Sequence, residues 1–494
     1  MKHTTPQRGR TLMASLMLLG AIGTIPAAAQ DDATTQNGAS AYGGAYITGP
    51  ASNPLSFLNG PAYRTTGQGT PYDFRDFAPM TALDKQLPSW IGFGLEERLR
   101  WEEQYNSGFK LNNDDGYALN RLRLLMQIKP TSWLRIVGQV QDARAWWQNP
   151  PLQPPNTNRL DLKLAYAEVG DPEHQWISVR VGRQMINYNN TIIANSEWRN
   201  QGRSYDAAVT NLHFDRFRLG IFAASAVVPM DEGISHHQEG NNIYGMYSAI
   251  DSLIAPHSSF EPFVLWRVAP SVSVETGGKA ITGHESEQAY GVRWKGLVHN
   301  NFDYSVEGIH EAGSDGNNPI RAWGTTDGVA YRFSSMYWKP RLFTQYDYAS
   351  GDKNAHDQVH GTFDTMYPTA HDRFGISDQF GWQNIRAVRA GITVEPHRRW
   401  TVTGQWLDFW LASATDSLYN TSGGSIVRNT TGSAGTHIGQ EADAYTWYEL
   451  NRHVNVGFGF AHIFAGEYLT KMEKGPNYSY PYFALNFKDA GNTH

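Results

Sequence analysis

Four arginines occupy alternate positions in two neighbouring segments of the chain and could together bind an anion. They are Arg98, Arg100, Arg121 and Arg123. A guanidinium is permanently charged and binds a carboxylate through two parallel hydrogen bonds, so an acidic sugar would favour arginine over lysine here. A structural role fits the same pattern, because Glu96 and Glu102 could neutralise the arginines and hold neighbouring strands in register.

A second candidate group surrounds a connector at 187–204. Its members are Arg183, Arg199, Arg203 and Asp206. If the connector folds inward, Arg199 and Arg203 would lie at the narrowest point of the space that the flanking segments enclose. If it does not, it is an ordinary surface loop.

Residues of the kinds used in catalysis form no recognised constellation. The chain contains no cysteine, which removes cysteine nucleophiles, zinc ribbons and disulfide scaffolds. The pair His310-Glu311 lacks the second histidine of a zinc-protease motif, and no G-x-S-x-G elbow or phosphate-binding loop is present. The five aspartates in 352–382 match no calcium-loop spacing. We therefore expect no catalytic residue, no cofactor and no metal site.

The segments that carry the first four arginines alternate apolar and polar residues. In the first segment, Leu99 and Trp101 fall on one face, and Arg98 and Arg100 fall on the other. This period of two predicts β-strands, since successive side chains of a strand point to opposite faces. A strand whose second face carries Arg, Glu, Gln and Lys must border water on that side.

Eighteen such strands can be placed along the chain, with bounds good to about two to four residues. They are predicted at 90–104, 117–129, 133–146, 159–170, 176–186, 205–214, 217–228, 242–252, 259–269, 285–296, 302–313, 322–333, 338–351, 383–395, 400–411, 438–450, 454–465 and 477–487. Eight short connectors alternate with nine longer ones, which include 187–204, 270–284, 314–321, 352–382 and 412–437. Short turns at one end and long loops at the other predict an all-β fold, an 18-stranded antiparallel transmembrane β-barrel of the outer-membrane porin type.

The composition agrees with a barrel. The mean hydropathy of −0.49 is too polar for a bundle of membrane helices, although 13% of the residues are aromatic. Barrel walls are apolar and aromatic towards lipid and polar towards the lumen, which reconciles the two values. The alternative is a secreted soluble β-rich protein that binds or hydrolyses carbohydrate. It would bury the apolar faces in a sandwich core, and its connectors would not alternate in length.

The chain divides into four regions. Residues 1–29 combine a basic start, an uncharged apolar run and small residues, which predicts a cleaved secretory signal peptide. Residues 30–89 are rich in Gly, Ser and Pro and form either a flexible leader or a partial plug. The barrel covers 90–487, and 488–494 is a C-terminal tail. Loss of the signal changes the formal charge from −6 to about −9, which argues against nucleic acid as a partner.

Several stretches resemble the alginate-export family of outer-membrane barrels. They read GLEERLRWE at 94–102, GRQ at 182–184, WRNQGRSYD at 198–206, YASGD at 348–352, YP at 367–368, GWQN at 381–384 and GQEAD at 439–443. The resemblance runs from Trp90 to the C-terminus. It implies an eighteen-stranded barrel that passes polyanionic polysaccharide or related solutes through the bacterial outer membrane without chemistry. Outer-membrane lipid follows as a partner from the barrel, and the closing strand, with Phe483, Leu485 and Phe487 on one face, predicts recognition by the barrel-assembly machinery. Export would imply a periplasmic scaffold as a further partner, whereas uptake of sugar acids would use the same wall.

The sequence departs from this family at two connectors. The resemblance implies two gates, a long extracellular loop after the third strand and a long periplasmic turn near the C-terminus. The corresponding segments here are the proline-rich stretch 147–158 and the turn 451–453, and both are short. We therefore expect passive passage of an anionic polysaccharide or of small anionic sugars along the wall arginines, without assigning alginate itself.

Overall fold

The structure is a computed structural model that describes residues 44–45, 79–149, 156–170, 176–189, 191–276, 279–354, 356–369 and 371–489. The predicted signal peptide, most of the predicted leader and the last five residues of the predicted tail lie outside these ranges. No helix in the described part of the chain is long and apolar enough to cross a membrane.

Within the described residues, eighteen long strands form one closed antiparallel barrel. They are β1 Ile91–Gln104, β2 Asp115–Thr131, β3 Leu134–Trp146, β4 Asn158–Val169, β5 Ile177–Ile186, β6 Tyr205–Phe214, β7 Phe217–Val228, β8 Asn242–Asp251, β9 Ser258–Thr276, β10 Lys279–Val298, β11 Phe302–Asp315, β12 Asn318–Arg332, β13 Arg341–Ala349, β14 Ile385–His397, β15 Trp400–Leu411, β16 His437–Glu449, β17 Val454–Ala465 and β18 Tyr478–Asp489. The barrel closes because β1 pairs with both β2 and β18. The predicted fold class is confirmed, and β6, β7, β15 and β17 have the predicted bounds.

Alternation along each strand separates the two surfaces of the wall. In β1 and β2, Leu99 and Leu122 point outward and are 43% and 42% exposed, whereas Arg98 and Arg121 point inward and are 1% exposed. A sandwich core would bury the outward set. The alternative of a soluble β-rich protein is therefore wrong, because its apolar faces lie on the outside of a closed cylinder.

Two of the predicted long loops are instead strand. Residues assigned to 270–284 continue β9 to Thr276 and begin β10 at Lys279, and 314–321 is mostly taken up by the ends of β11 and β12. The latter two strands meet at a two-residue turn in which Gly316 has a positive φ of 59°. These extensions contain Pro270, Gly283 and Pro319, residue types that are common in turns, and the sequence therefore predicted loops there.

Three long connectors of the described chain fold into the barrel at the end opposite the chain termini, and Phe109 and Tyr468 of two shorter connectors are buried with them. We call the three long connectors the first inner loop (187–204), the second inner loop (350–384) and the third inner loop (412–436). Their large apolar side chains, such as Ile192 and Phe380, are buried together with inward side chains of the wall. The upper part of the lumen is therefore packed by loops.

A short helix fastens the two ends of the described barrel together. Helix α1, Pro79–Asp84, lies in the segment predicted as leader. The backbone N–H groups of Met80 and Thr81 donate to Oδ2 of Asp489 at 2.7 and 3.1 Å, and the Thr81 hydroxyl donates to Oδ1 at 2.6 Å. At the other end of α1, Asp84 accepts the backbone N–H of Phe93 at 3.1 Å. Strand β18 also runs to Asp489, two residues beyond the predicted end.

Candidate functional site

The first pair of wall arginines is covered by the first inner loop. Nη1 of Arg98 donates to the carbonyl of Glu197 at 2.8 Å, and Nη2 donates to the carbonyl of Arg199 at 3.1 Å. Nη1 of Arg100 donates to the carbonyl of Trp198 at 2.6 Å, and its guanidinium lies 4.0 Å over the indole ring. Arg100 also forms an ion pair with Glu102.

The second pair holds the same loop by charge. Nη1 of Arg123 lies 2.6 Å from the carboxylate of Glu197, and Nη1 of Arg121 lies 3.3 Å from it. Arg121 also pairs with Glu96 and donates to the carbonyl of Glu197 at 3.1 Å. Nζ of Lys163 donates to the carbonyl of Gln201 at 2.9 Å. The wall arginines and Lys163 therefore donate hydrogen bonds to backbone carbonyls of the first inner loop and to its single carboxylate.

Side chains of the WRNQG segment explain why the loop lies inward. The Nδ2 group of Asn200 donates to the carbonyls of Asn120, Arg144 and Asn156 at 3.1, 3.1 and 2.8 Å. Gly202 has a positive φ of 61°, and a Cβ there would collide with the carboxylate of Glu197. The segment is therefore shaped to seat Glu197 among the arginines.

The structure brings the four predicted arginines together with Glu96 and Glu102, but it does not leave them open to the lumen. The arginines are between 1% and 4% exposed. With the loop in place, a solute would meet the loop rather than the guanidiniums. Direct contact between these arginines and a solute stays a prediction. In this arrangement their side chains bind the first inner loop.

Arg199 and Arg203 join the inner loops to one another. Nη1 of Arg203 donates to the carbonyls of Ala194, Tyr367 and Pro368 at 3.0, 2.6 and 3.2 Å, which ties the first inner loop to the second. Nη2 of Arg199 donates to the Ser422 hydroxyl at 3.0 Å, which ties it to the third. The connector folds inward, and both arginines are at the place where the three loops meet.

Arg183 and Asp206 do not join that group. They pair with each other across β5 and β6, with Nε of Arg183 at 2.8 Å from Oδ1 of Asp206. Oδ2 of Asp206 also lies 2.8 Å from Nδ1 of His237. Asp206 follows the inward-facing Tyr205, so alternation turns it to the outer surface near the extracellular rim. Proximity in sequence to the inner loop suggested a shared site, but these two side chains lie on the opposite face of the wall.

The second inner loop has its own buried anchors, which sequence reasoning missed. Nη2 of Arg373 lies 2.8 Å from Oδ1 of Asp347, and the guanidinium stacks 4.1 Å over the ring of Trp382. Oδ1 of Asp372 accepts from Nη2 of Arg389 at 3.1 Å and from the Tyr445 hydroxyl at 2.8 Å. Arg373 and Asp372 are adjacent in the loop and bind opposite charges on the wall.

Glu197, Trp198 and Lys163 were also missed as members of the site. Glu197 and Trp198 could have been suspected, because a carboxylate can pair with an arginine of the wall and an indole ring can stack on a guanidinium. Lys163 could not have been placed by alternation, since the pairing of β4 with β3 shifts register between Gln139 and Val140.

Charge is divided across the lumen. Opposite the arginine wall, Arg267 of β9 pairs with Glu285 at 2.6 Å, Glu287 at 2.8 Å and Asp364 of the second inner loop at 2.6 Å. Burial raises the pKa of Asp364, but Arg267 outweighs burial and keeps the pKa below its ordinary value. The fully buried Glu311 accepts the backbone N–H of Asp364 at 2.9 Å. Carboxylates outnumber cations on this side.

Among the residues that the structure describes, no three His, Asp or Glu side chains converge in a way that could hold a metal ion.

Protonation of Glu197 should loosen the first inner loop only in acid. Burial raises the pKa of its carboxyl, but Arg123, Arg121 and Lys163 outweigh burial and hold the pKa well below the ordinary value of 4.5. A carboxyl whose pKa is depressed on folding gives stability that is present above 4.5 and is lost as the pH falls towards the depressed value.

In planar bilayers, Glu197→Gln should therefore show more frequent opening than wild type at neutral pH. The difference should shrink progressively as the pH is lowered below 4.5, because the wild-type carboxylate then becomes neutral as well. A difference that persists unchanged into strong acid would show that the charge of Glu197 does not hold the loop.

Comparisons with known proteins agree with this architecture. The family model described as alginate export matches residues 89–479. Among solved structures of Pseudomonas aeruginosa proteins, OccK3 (OpdO) superposes with a TM-score of 0.53 at 10% identity, covering 81% of this chain and 95% of that one. OccK8 (OprE) gives 0.52 at 9% identity, with coverage of 81% and 98%. A structure of OpdK with vanillate gives 0.52 at 8% identity, again with coverage of 81% and 98%.

Identities this low establish a shared barrel fold and nothing finer. The comparison with curated proteins gives no match.

Proposed function

Since this chain belongs to the alginate-export family and is an outer-membrane channel, we propose that its cargo is anionic: acidic oligosaccharides or small anionic sugars. They would diffuse passively down their gradient, and no bond would be made or broken. Partners in the periplasm would supply any driving force.

The observation that carries this proposal is the surplus of cations behind and within the first inner loop. Four arginines and Lys163 face the carboxylates of Glu96, Glu102 and Glu197, and the loop adds Arg199 and Arg203. Uncompensated charge inside a low-dielectric wall projects its field into the adjoining aqueous space. An anion would therefore be drawn to the side of the lumen formed by β1–β4, and away from the carboxylate side at β9–β11.

The packing of the inner loops bears on the size of the cargo. Phe363, Phe374, Phe380 and Trp382 are all buried where the loops meet the wall. A polymer of many sugar units would need at least one loop to move. Oligosaccharides and single sugar acids make the smaller demand, so we place them ahead of long polysaccharide.

Two further partners belong to the proposal. Strand β18 carries Phe483, Leu485 and Phe487 on its outward face, a pattern suited to recognition by the barrel-assembly machinery. A periplasmic export scaffold would be needed only if the cargo leaves the cell.

Block of single-channel current by acidic sugars tests the cargo. We expect di- and tri-uronates to block the wild-type channel and neutral sugars of equal length to leave it open. Vanillate belongs in the panel, because OpdK was solved with that carboxylate. Equal block by acidic and neutral sugars would overturn the proposal.

Arg199 gives the matching variant, since its guanidinium lies where the three inner loops meet and contacts the exposed Ser422. Arg199→Glu should weaken uronate block by roughly tenfold, the equivalent of about 1.4 kcal/mol. Arg159→Glu is the control, because Arg159 pairs with Glu232 on the surface at 2.7 Å and makes the same change of charge. Equal loss of block in both variants would show that only the net charge of the protein matters.

A further inference from the structure

An arginine on the lipid-facing surface of β14 has no partner among the residues that the structure describes. Arg386 points outward, because it lies between Ile385 and Ala387, whose side chains point inward and are buried. Its Nε atom is buried without a hydrogen-bond partner. No carboxylate in the described part of the chain forms an ion pair with its guanidinium.

Other outward arginines near the extracellular end of the barrel are neutralised by a carboxylate. Nε of Arg144 on β3 lies 2.6 Å from Oδ1 of Asp142. Nε of Arg183 on β5 lies 2.8 Å from Oδ1 of Asp206. Arg386 differs from both, since its charge is not compensated within the protein.

Arg386 lies where the membrane meets the extracellular water. In the sheet register it is directly between Tyr348 of β13 and Trp410 of β15. Trp400 and Trp410 both point outward and are ten positions apart on β15. At about 3.3 Å per residue and a tilt of about 40°, this separation covers about 25 Å, the height of the apolar band of a barrel. The two tryptophans therefore mark the two interfaces, and Arg386 is at the outer one.

Aromatic rings flank the guanidinium on both sides. The ring of Tyr348 stacks on that of Trp323, with 4.3 Å between their centroids. On the other side, the ring of Trp410 lies 5.6 Å from that of His437. Arg321 is exposed, points outward and is two residues beyond Trp323 on the extracellular side. This part of the rim therefore presents flat rings and cations at the level of the lipid headgroups.

The outward carboxylates of the neighbouring strands do not neutralise Arg386. Oδ1 of Asp408 on β15 lies 2.9 Å from Nε2 of His437, and Oδ2 accepts from Nε2 of Gln440 at 2.8 Å. Asp327 of β12 is two strands away from Arg386. Within the described part of the chain, no ion pair joins either carboxylate to Arg386. An anion from outside the protein would therefore be its partner.

The membrane itself supplies such an anion at this depth. The outer leaflet of a bacterial outer membrane is built from a glycolipid whose headgroup carries phosphate. A guanidinium binds phosphate through two parallel hydrogen bonds, and basic side chains at a membrane surface recognise phosphorylated headgroups. A phosphate is thus complementary to Arg386 in charge, in hydrogen bonding and in position.

We propose that the outer surface of β12–β16, at the extracellular interface, is a binding site for the phosphorylated glycolipid of the outer leaflet. Arg386 binds a phosphate, and Tyr348 and Trp410 pack against the sugars and the first carbons of the acyl chains. This inference is independent of the cargo proposed above.

Titration of the detergent-solubilised barrel with lipid A, followed by native mass spectrometry, tests the site. Wild type should bind bisphosphorylated lipid A, and Arg386→Gln should bind it about tenfold more weakly. Arg398→Gln is the matched control, because Arg398 is exposed on the periplasmic turn between β14 and β15 and its loss changes the charge equally. It should bind lipid A like wild type. Heat-modifiable migration on gels checks that each variant is folded.

Two further measurements use only the wild-type protein. Dephosphorylated lipid A should bind about as weakly as the phosphorylated form binds to Arg386→Gln, and millimolar inorganic phosphate should not displace lipid A. Equal binding of the two lipids would overturn phosphate as the recognised group, and displacement by inorganic phosphate would overturn the lipid as the occupant. Unchanged affinity in Arg386→Gln would mean that water alone solvates the guanidinium, and an equal loss in Arg398→Gln would reduce the effect to net charge. Either result would contradict the site.

Discussion

Replacing Arg121 and Arg123 together by glutamate is expected to increase both the single-channel conductance and the fluctuations of the open-channel current. The variant removes both guanidiniums that pair with the carboxylate of Glu197 and places two carboxylates against it. Loss of one partner of a buried ion pair costs up to about 3–5 kcal/mol, and the two new carboxylates repel the Glu197 carboxylate, whose side chain is 25% exposed. The first inner loop should therefore spend most of its time away from the wall, and single-channel conductance should rise severalfold.

A second double charge reversal separates loop release from simple electrostatics. Arg218 and Arg341 face the lumen and pair with Asp251 and Asp303 near the periplasmic ends of their strands. Arg218→Glu with Arg341→Glu changes as many charges, so it should alter ion preference without a comparable rise in conductance. If both double variants change ion preference alike and leave conductance at the wild-type value, the arginines do not hold the loop.

Arg373→Ala is expected to release the second inner loop. Its removal leaves Asp347, which is 0% exposed, without its guanidinium partner, at a cost of about 3–5 kcal/mol. The barrel strands keep their pairing, so the protein should stay heat-modifiable while the loop opens. A cysteine introduced at the buried Thr365 would report the opening, because maleimide should label Thr365→Cys quickly in the Arg373→Ala background and slowly in wild type.

The neutral double variant is the decisive control for this prediction. Arg373→Met with Asp347→Asn removes both charges and leaves no buried carboxylate unpaired, so labelling at position 365 should return most of the way to the slow wild-type rate. Fast labelling in both backgrounds would mean that stacking of Arg373 on Trp382, and not the ion pair, holds the loop.

The strands could be predicted from sequence because a wall between lipid and water imposes a period of two on every strand. That is why β6, β7, β15 and β17 were located to the residue. The method failed at the far ends of β9–β12. These ends contain Pro270, Gly283 and Pro319, residue types that are common in turns, and the sequence therefore predicted loops there.

The candidate site could be predicted only in part, for a different reason. Alternation places Arg98, Arg100, Arg121 and Arg123 on the inner face, but it carries no information about what covers that face. The contact between Arg121 and Glu197 joins residues far apart in sequence and depends on how a loop packs inside a cylinder. Arg183 and Asp206 show the converse, since closeness along the chain to the inner loop did not bring them to the same side of the wall.

The attachment of α1 to Asp489 has a consequence for the order of assembly. The hydrogen bonds from Met80 and Thr81 to Asp489 join residues 409 and 408 positions apart, and they lie beside the last seam to be made, between β1 and β18. Pairing between neighbouring strands joins residues close in sequence, whereas this seam needs both ends of the exported chain. The hydrogen bonds between α1 and Asp489 should therefore be among the last contacts to form. Until the whole chain is exported, the sheet stays open and has two unpaired edges. A chain that stops before Asp489 should therefore remain exposed to periplasmic chaperones and proteases.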